Sequence, residues 1–311
     1  MTDSSDDEVR YFLTRITQNP EKSDTSDVIV LQPPLTAEQW EEAERAMDIL
    51  GESYRGFNIH LRIALDDFEE EISSFKQMLL EAPTPDETSK TRLVNKALVF
   101  SVALKMYEEH ITSVVTRRWG KGAEEIEACK RAFSAVFDRS LAYRVVYALR
   151  NALVHSVVDV VTANYTVRLT NPSDPDSGVT SEVVVGVSRE KFAATDVRAA
   201  TRREVSELSS DPDLLQLSRD ALMEVESLNV ELEPVVHPDV EDATVFLWSI
   251  TREHFPNCDH APVLMALNRK AEPKSILPIP PVYWDYILRR GGQALALREQ
   301  DKNVDTTWLP S

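Results

Sequence analysis

The sequence predicts a mainly α protein: an up-and-down helical bundle with an appended β-hairpin and C-terminal helices. Three observations point there. Apolar residues recur at three- and four-residue spacing through residues 36–156, the period of helices that bury one face. The pattern then switches to β-branched runs flanking a turn-forming segment, Asn171 to Gly178. The chain has only 8 glycines, too few for a Gly-rich phosphate loop at the start of a dinucleotide fold, and only 2 cysteines, too few for a disulfide scaffold.

Residues 1–35 read as a flexible acidic tail, polar apart from Val28 to Leu31 and stopped by Pro33 and Pro34. Helical signals begin at Thr36, a capping residue three positions before Gln39. Trp40, Ala43, Met47 and Leu50, then Phe57, Leu61, Leu65, Phe68, Ile72, Phe75 and Leu79, carry one apolar stripe. They form a single long helix or two in series. A turn at residues 83–90 leads to a second stripe, Leu93 to Val115, which stops at Trp119-Gly120-Lys121-Gly122. A third helix runs over 123–139 with Ile126, Cys129, Phe133, Val136 and Phe137, and a fourth starts near Ser140. Together residues 36–156 make the bundle.

Residues 157–190 make the hairpin extension, from the runs Val157 to Leu169 and Val183 to Val187. Ser188 then reads as the N-cap of a helix containing Lys191 and Phe192. Residues 191–238 are accessory helices, the second opened by Asp211-Pro212-Asp213 and closed by Pro234 to Pro238. Residues 239–311 form a C-terminal extension with no assigned role, Pro-rich and extended at 273–282, with a last helix from Tyr283. Tyr283, Trp284 and Tyr286 either dock on a protein partner or cover the chain's own core, and the core is the favoured reading.

The acidic, polar start (Met1 to Glu8) lacks the basic residues and apolar run of a secretory signal, and no window is long and apolar enough to span a bilayer. With Cys129 and Cys258 far apart and outside any CxxC, the expectation is a cytoplasmic protein with reduced thiols.

Charge is unevenly spread. The chain carries 52 acidic and 34 basic residues, a net charge of −18, yet residues 91–155 hold 11 basic and 6 acidic side chains. The overall charge disfavours non-specific duplex binding. The basic middle is either a surface facing phosphates or a set of basic helices packed against acidic neighbours.

Within it lies Arg150-Asn151-Ala152-Leu153-Val154-His155, an R-N-x-x-x-H segment near the end of the fourth helix. An imidazole transfers protons near neutral pH, and a guanidinium holds phosphate oxygens in a fork of donors. An intervening Asn orients a neighbour or binds a ligand oxygen. Asn151 and His155 lie one turn apart, and Tyr147 and Tyr143 extend that ladder backwards as candidate substrate contacts. Arg150 is about 140° from His155 around the helix, so a common ligand needs the reach of the arginine, the helix end, or a second chain. A second Arg-to-His pair, Arg55 to His60, lacks the polar residue after Arg and serves as an internal control.

The bundle with Arg150, Asn151 and His155 on its late helix resembles a HEPN-type domain over residues 36–156. That resemblance implies a metal-independent endoribonuclease needing no cofactor, with its site formed where two copies of the motif meet in a homodimer. It implies His155 as general acid or base, Arg150 as the phosphate holder and Asn151 as a positioning group. It also implies a toxin or host-defence setting, with a protein partner such as an antitoxin. The alternatives are a non-catalytic RNA- or nucleotide-binding role and a protein-interaction scaffold in which the motif is structural. In the last case Arg150 would pair with Asp66 or Glu70, and His155 would satisfy carbonyls at the helix C-terminus.

No metal site is expected. Glu108, Glu109 and His110 are consecutive, point to different faces of a helix and read as a solvated surface. His237, His254, Cys258, Asp259 and His260 make only a loose cluster.

Overall fold

The computed structural model describes residues 9–18, 26–30, 33–54, 58–81, 87–155, 160–171, 178–254, 262–268 and 272–280, with Ser173, Lys270, Trp284, Ile287, Leu288, Arg290 and Gly291. The protein is mainly helical, with antiparallel strands that include the expected hairpin. It divides into two compact units, one of residues 1–55 and 237–311 and the other of residues 56–236. Among the described residues no helix is long and apolar enough to cross a membrane.

The first unit is built from both ends of the chain. Strands β1 (Arg10–Gln18), β2 (Ser26–Val30), β5 (Val263–Leu267) and β6 (Pro273–Pro278) form an antiparallel sheet in the order β2-β1-β5-β6. Leu13 lies opposite Leu264 and Phe12 opposite Met265, so successive side chains go to opposite faces. Thr14 Oγ1 donates to the Val263 carbonyl at 2.8 Å. Leu13 and Leu264 join a core with helices α1 (Ala37–Tyr54) and α9 (Val240–His254), which pack on each other through Trp40, Ala43, Met47 and Leu50 against Val240, Ala243, Leu247 and Ile250. Trp284 is buried in this core; Tyr283 and Tyr286 lie outside the described residues.

This corrects two expectations. Residues 1–35 are not all tail, because β1 pairs on both edges within the sheet. Residues 239–311 are not an appendage, because α9, β5 and β6 share one core with β1 and α1. The capping box at Thr36 is present: Gln39 N donates to Thr36 Oγ1 at 3.1 Å, and Thr36 N to Gln39 Oε1 at 2.9 Å.

The second unit is the bundle. Helices α2 (Asn58–Glu81), α3 (Glu87–Trp119), α4 (Glu124–Arg139) and α5 (Leu141–His155) carry the predicted stripes, and Leu61, Phe68, Phe75, Leu93, Phe100, Leu104, Val136 and Leu149 are buried together. The stripe across 40–79 is therefore two helices, and they belong to different units. Between α3 and α4 the chain turns through Gly120 and Gly122 at φ +85° and +86°, a left-handed conformation that glycine adopts without a Cβ clash. Ser140 separates α4 from α5 and caps the latter, its Oγ accepting from Tyr143 N at 3.2 Å.

Strands β3 (Val161–Leu169) and β4 (Val179–Val187) form the hairpin, with Val161 opposite Val187 and Leu169 opposite Val179. Val183, Val185 and Val187 face the bundle core, where β4 lies on α2. Ser188 caps the short helix α6 (Arg189–Ala193) as expected. After α7 (Ala199–Ser206), helix α8 (Leu214–Val236) lies against α2, α3, α4 and α5. It is a member of the bundle rather than an accessory, and its Leu214, Val225, Leu228 and Leu232 are in the common core.

Candidate functional site

Helix α5 places the residues singled out from the sequence. Its Val145, Val146, Leu149 and Ala152 are buried, which turns Asn151 to the surface and leaves Arg150 at the boundary, half-buried. Arg150 Nη1 donates to Asn151 Oδ1 at 3.1 Å. Among the described residues no carboxylate pairs with Arg150. Neither Asp66 nor Glu70 engages it, and the adjacent acids Asp67 and Glu69 bond Lys96 at 2.7 Å and Arg219 at 2.8 Å. The guanidinium is thus held by a neutral amide at a solvent-facing position. His155 is the last residue of α5, and its side chain lies outside the described residues. In the control pair His60 is exposed on α2, and Arg55 lies outside the described residues.

The ladder upstream does not share that exposure. Tyr143 is 1 % exposed and Tyr147 half-buried, their rings stacked at 6.1 Å. Tyr147 Oη accepts from Lys105 Nζ at 2.5 Å, and the same ammonium bonds Glu108 Oε2 at 3.1 Å. Burial opposes the charge on Lys105, but the bonds to Tyr147 and Glu108 outweigh it and hold the ammonium above its ordinary range. Burial raises the Tyr147 phenol against the pull of Lys105. Burial also raises the Tyr143 phenol, so it stays protonated at neutral pH. The Tyr143 hydroxyl is inaccessible and makes no hydrogen bond among the described residues.

These tyrosines line a cavity of about 380 Å³ between α3, α4 and α5. Phe133 and Phe137 of α4 complete its aromatic walls, with Phe137 edge-on to Tyr147 at 6.0 Å. Glu108 of α3 and Arg198, just before α7, supply charge, and the Arg198 guanidinium stacks 4.5 Å over the Phe137 ring. Glu108 is therefore not part of a solvated surface with Glu109. Its side chain is 28 % exposed and tied to Lys105, whereas that of Glu109 is 65 % exposed. Sequence reasoning missed Lys105, Glu108, Phe133, Phe137 and Arg198 as a group. The legible trace was a pair of aromatics four residues apart on each of two successive helices, Phe133/Phe137 and Tyr143/Tyr147.

Much of the basic middle is neutralised within the fold. Of its 11 basic side chains, Lys96, Lys105, Lys130, Arg139 and Arg144 pair with Asp67, Glu108, Glu127, Glu224 and Glu204. Burial, with Arg117 and His60 nearby, lowers the His110 imidazole below its usual value. Among the described residues no three His, Cys, Asp or Glu side chains are grouped to hold a metal ion. Cys258, Asp259 and His260, and the side chain of His254, lie outside them.

No model of a known protein family matches the chain, no curated protein is similar to it, and no solved structure matches its fold.

Proposed function

We propose that the second unit acts on RNA as a metal-independent endoribonuclease, with Arg150, Asn151 and His155 as its working residues. One observation carries this reading: Arg150, in the last turns of α5, has no carboxylate partner among the described residues and is held by the exposed Asn151. A structural arginine in so acidic a chain would be expected to pair with an acid, as Arg139 and Arg144 do. A guanidinium left with only a neutral amide retains donors for phosphate oxygens.

In the proposed reaction a ribose 2′-oxygen attacks the adjacent phosphorus. The new 2′-O–P bond forms as the P–O5′ bond breaks, leaving a 2′,3′-cyclic phosphate and a 5′-hydroxyl. The 2′-hydroxyl proton passes to a base, and an acid protonates the departing 5′-oxygen. His155 takes one of these roles, Arg150 neutralises the charge that develops on the phosphate, and Asn151 positions the guanidinium. Arg150 and His155 diverge by about 140° on one helix, so the site is completed by His155 of a second copy across a two-fold axis. The reading extends to a cytoplasmic toxin or host-defence effector restrained by a protein partner.

The test is RNA cleavage by the purified protein in EDTA. Arg150→Ala and His155→Ala are expected to lose activity by about 10²–10⁴-fold, the usual worth of a positioned acid or base, and His60→Ala to retain it. Metal-dependent cleavage, or full activity in His155→Ala, overturns the reading.

A second reading, a protein-interaction scaffold in which the motif is structural, is favoured by the ion pairing of the basic helices, which limits the phosphate-facing charge. RNA neither bound nor cut by the wild-type protein would identify it.

A further inference from the structure

We propose that the free edge of β3 is a self-association surface, on which β3 of a second copy pairs antiparallel about a two-fold axis at Thr166. The proposal goes beyond the cleavage reading and does not depend on it.

The ladder decides which backbone groups are free. Ser188 N donates to the Val160 carbonyl at 2.8 Å, and Thr170 N to the Gly178 carbonyl at 3.0 Å. In the register that sets Val161 opposite Val187 these are hydrogen-bonded pairs, so the even-numbered residues of β3 bond to β4. The N–H and C=O groups of Ala163, Tyr165, Val167 and Leu169 therefore point to the other edge, where no strand among the described residues pairs with them.

A strand edge left open is normally short, bulged, or guarded by proline or lysine. The other edges of the two sheets follow that rule. The outer edge of β4 is bridged at Gly186 by Asp213, and Val187 N donates to the Pro212 carbonyl at 3.0 Å. β6 carries Lys274 between Pro273 and Pro278, and β2 has only 5 residues. β3 has 9 residues in unbroken register and contains neither proline nor lysine. Its Asn164, Tyr165, Thr166, Arg168 and Leu169 are exposed.

The strand's own sequence selects a second copy as the occupant. With the axis at Thr166, Ala163 lies opposite Leu169 of the second copy, and Tyr165 opposite its Val167. Every outward residue from Ala163 to Leu169 then exchanges two hydrogen bonds with a partner. The paired side chains on that face are apolar, and pairing covers Tyr165 and Leu169, now 38 % and 41 % exposed. On the other face Arg168 meets Asn164 of the second copy, so no like charges are opposed. An axis at Tyr165 would set Leu169 against the buried Val161, and one at Val167 would set Ala163 against Asn171, beyond the strand. With the axis at Thr166 the two copies of Val161 are about 33 Å apart along the strands. The contact is therefore separate from the meeting of α5 ends in the cleavage reading, and each can form without the other.

Disulfide trapping of the full-length protein in a Cys258→Ser background tests this, since Cys129 is buried. Thr166 would lie opposite itself in a non-hydrogen-bonded pair, with Cα atoms about 4.5 Å apart, within the span of a disulfide. Thr166→Cys is expected to give a covalent dimer on mild oxidation. Asn164→Cys, whose two copies would lie about 13 Å apart along the strands, is not. Val167→Pro removes an outward N–H and leaves the hairpin ladder whole. Analytical ultracentrifugation should find the number of associated copies lowered at least two-fold in this variant. Asn164→Arg sets a second guanidinium opposite Arg168 at two places in the contact and should weaken association about 10-fold. Circular dichroism verifies that both variants keep the wild-type fold. Thr166→Cys that fails to cross-link, or does so no better than Asn164→Cys, overturns the proposal. So does an association state unchanged in both Val167→Pro and Asn164→Arg.

Discussion

Two buried tyrosines of the bundle should respond oppositely to loss of the same atom. Tyr107 and Tyr143 are each at most 1 % exposed. The Tyr107 hydroxyl donates to Asn229 Oδ1 at 3.1 Å, whereas the Tyr143 hydroxyl has no hydrogen-bond partner among the described residues. Tyr107→Phe removes a bond and strands the Asn229 acceptor, which costs about 1 kcal/mol or somewhat more. Tyr143→Phe removes a hydroxyl whose unpaired burial costs about 1–3 kcal/mol. Against this gain stands a void of one oxygen atom, worth only a few tenths of a kcal/mol at about 24 cal/mol per Å³. The net expectation for Tyr143→Phe is a stabilisation of about 1 kcal/mol or more, because the ring keeps its stack on Tyr147. For a unit of this size that raises Tm by about 2–4 °C, and Tyr107→Phe lowers it by a similar amount. Differential scanning calorimetry of the ligand-free protein reads both. A fall in Tm for Tyr143→Phe would mean that its hydroxyl is satisfied in the folded protein, and would contradict its unpaired burial.

Three further outcomes follow from the same geometry. Arg144, whose side chain is 12 % exposed, ties α5 to the Phe137 and Asp138 carbonyls at 2.6 and 2.7 Å and to Glu204 of α7 at 2.6 Å. Arg144→Ala should cost about 2 kcal/mol in chemical denaturation, less than a fully buried pair because Glu204 is 41 % exposed. His110 has its folded-state pKa lowered, so the unfolded chain takes up the proton first. Its contribution is intact above the unfolded value and is lost as pH falls through it, and His110→Gln should flatten stability between about pH 6.5 and the lower folded value, while NMR titration places His110 below 6.5. The Cys129 thiol, buried and pushed up to about 11, should have only about one thiolate in a thousand at pH 8. In a Cys258→Ser background it should react with a disulfide reagent only on unfolding, and rapid labelling of the folded protein would contradict its burial.

The helices were legible because each buries a stripe whose three- and four-residue spacing survives in the sequence, as Leu61, Leu65, Phe68, Ile72, Phe75 and Leu79 show. The hairpin was legible for a similar reason, with β-branched runs on either side of a turn. Periodicity reports that a helix has an apolar face and not what covers it. The stripe of α1 looks like that of α2, yet it is buried by α9, which begins about 190 residues later in the chain. The same blindness hid α8, whose stripe was evident but whose place among α2 to α5 was not. Strand β1 was missed because its only strong apolar pair is Phe12-Leu13, and its partner β5 is supplied by the far end of the chain. At the site, the surface position of Asn151 follows from the apolar face of α5. The link from Lys105 to Tyr147 joins two helices, and no local pattern encodes it.

A mixing experiment tests most directly whether, as we propose, an RNA-cleaving site is shared between two copies of α5. Arg150→Ala and His155→Ala proteins are each assayed alone in EDTA, then unfolded, combined in equal amounts and refolded together. If one copy supplies Arg150 and the other His155, each variant is inactive alone and the mixture regains about a quarter of wild-type cleavage, because half the dimers are mixed and each has one intact site of two. A wild-type protein, refolded in parallel, that leaves RNA uncut in EDTA, or cuts it while the mixture stays as inactive as its parts, contradicts a metal-independent site shared in this way.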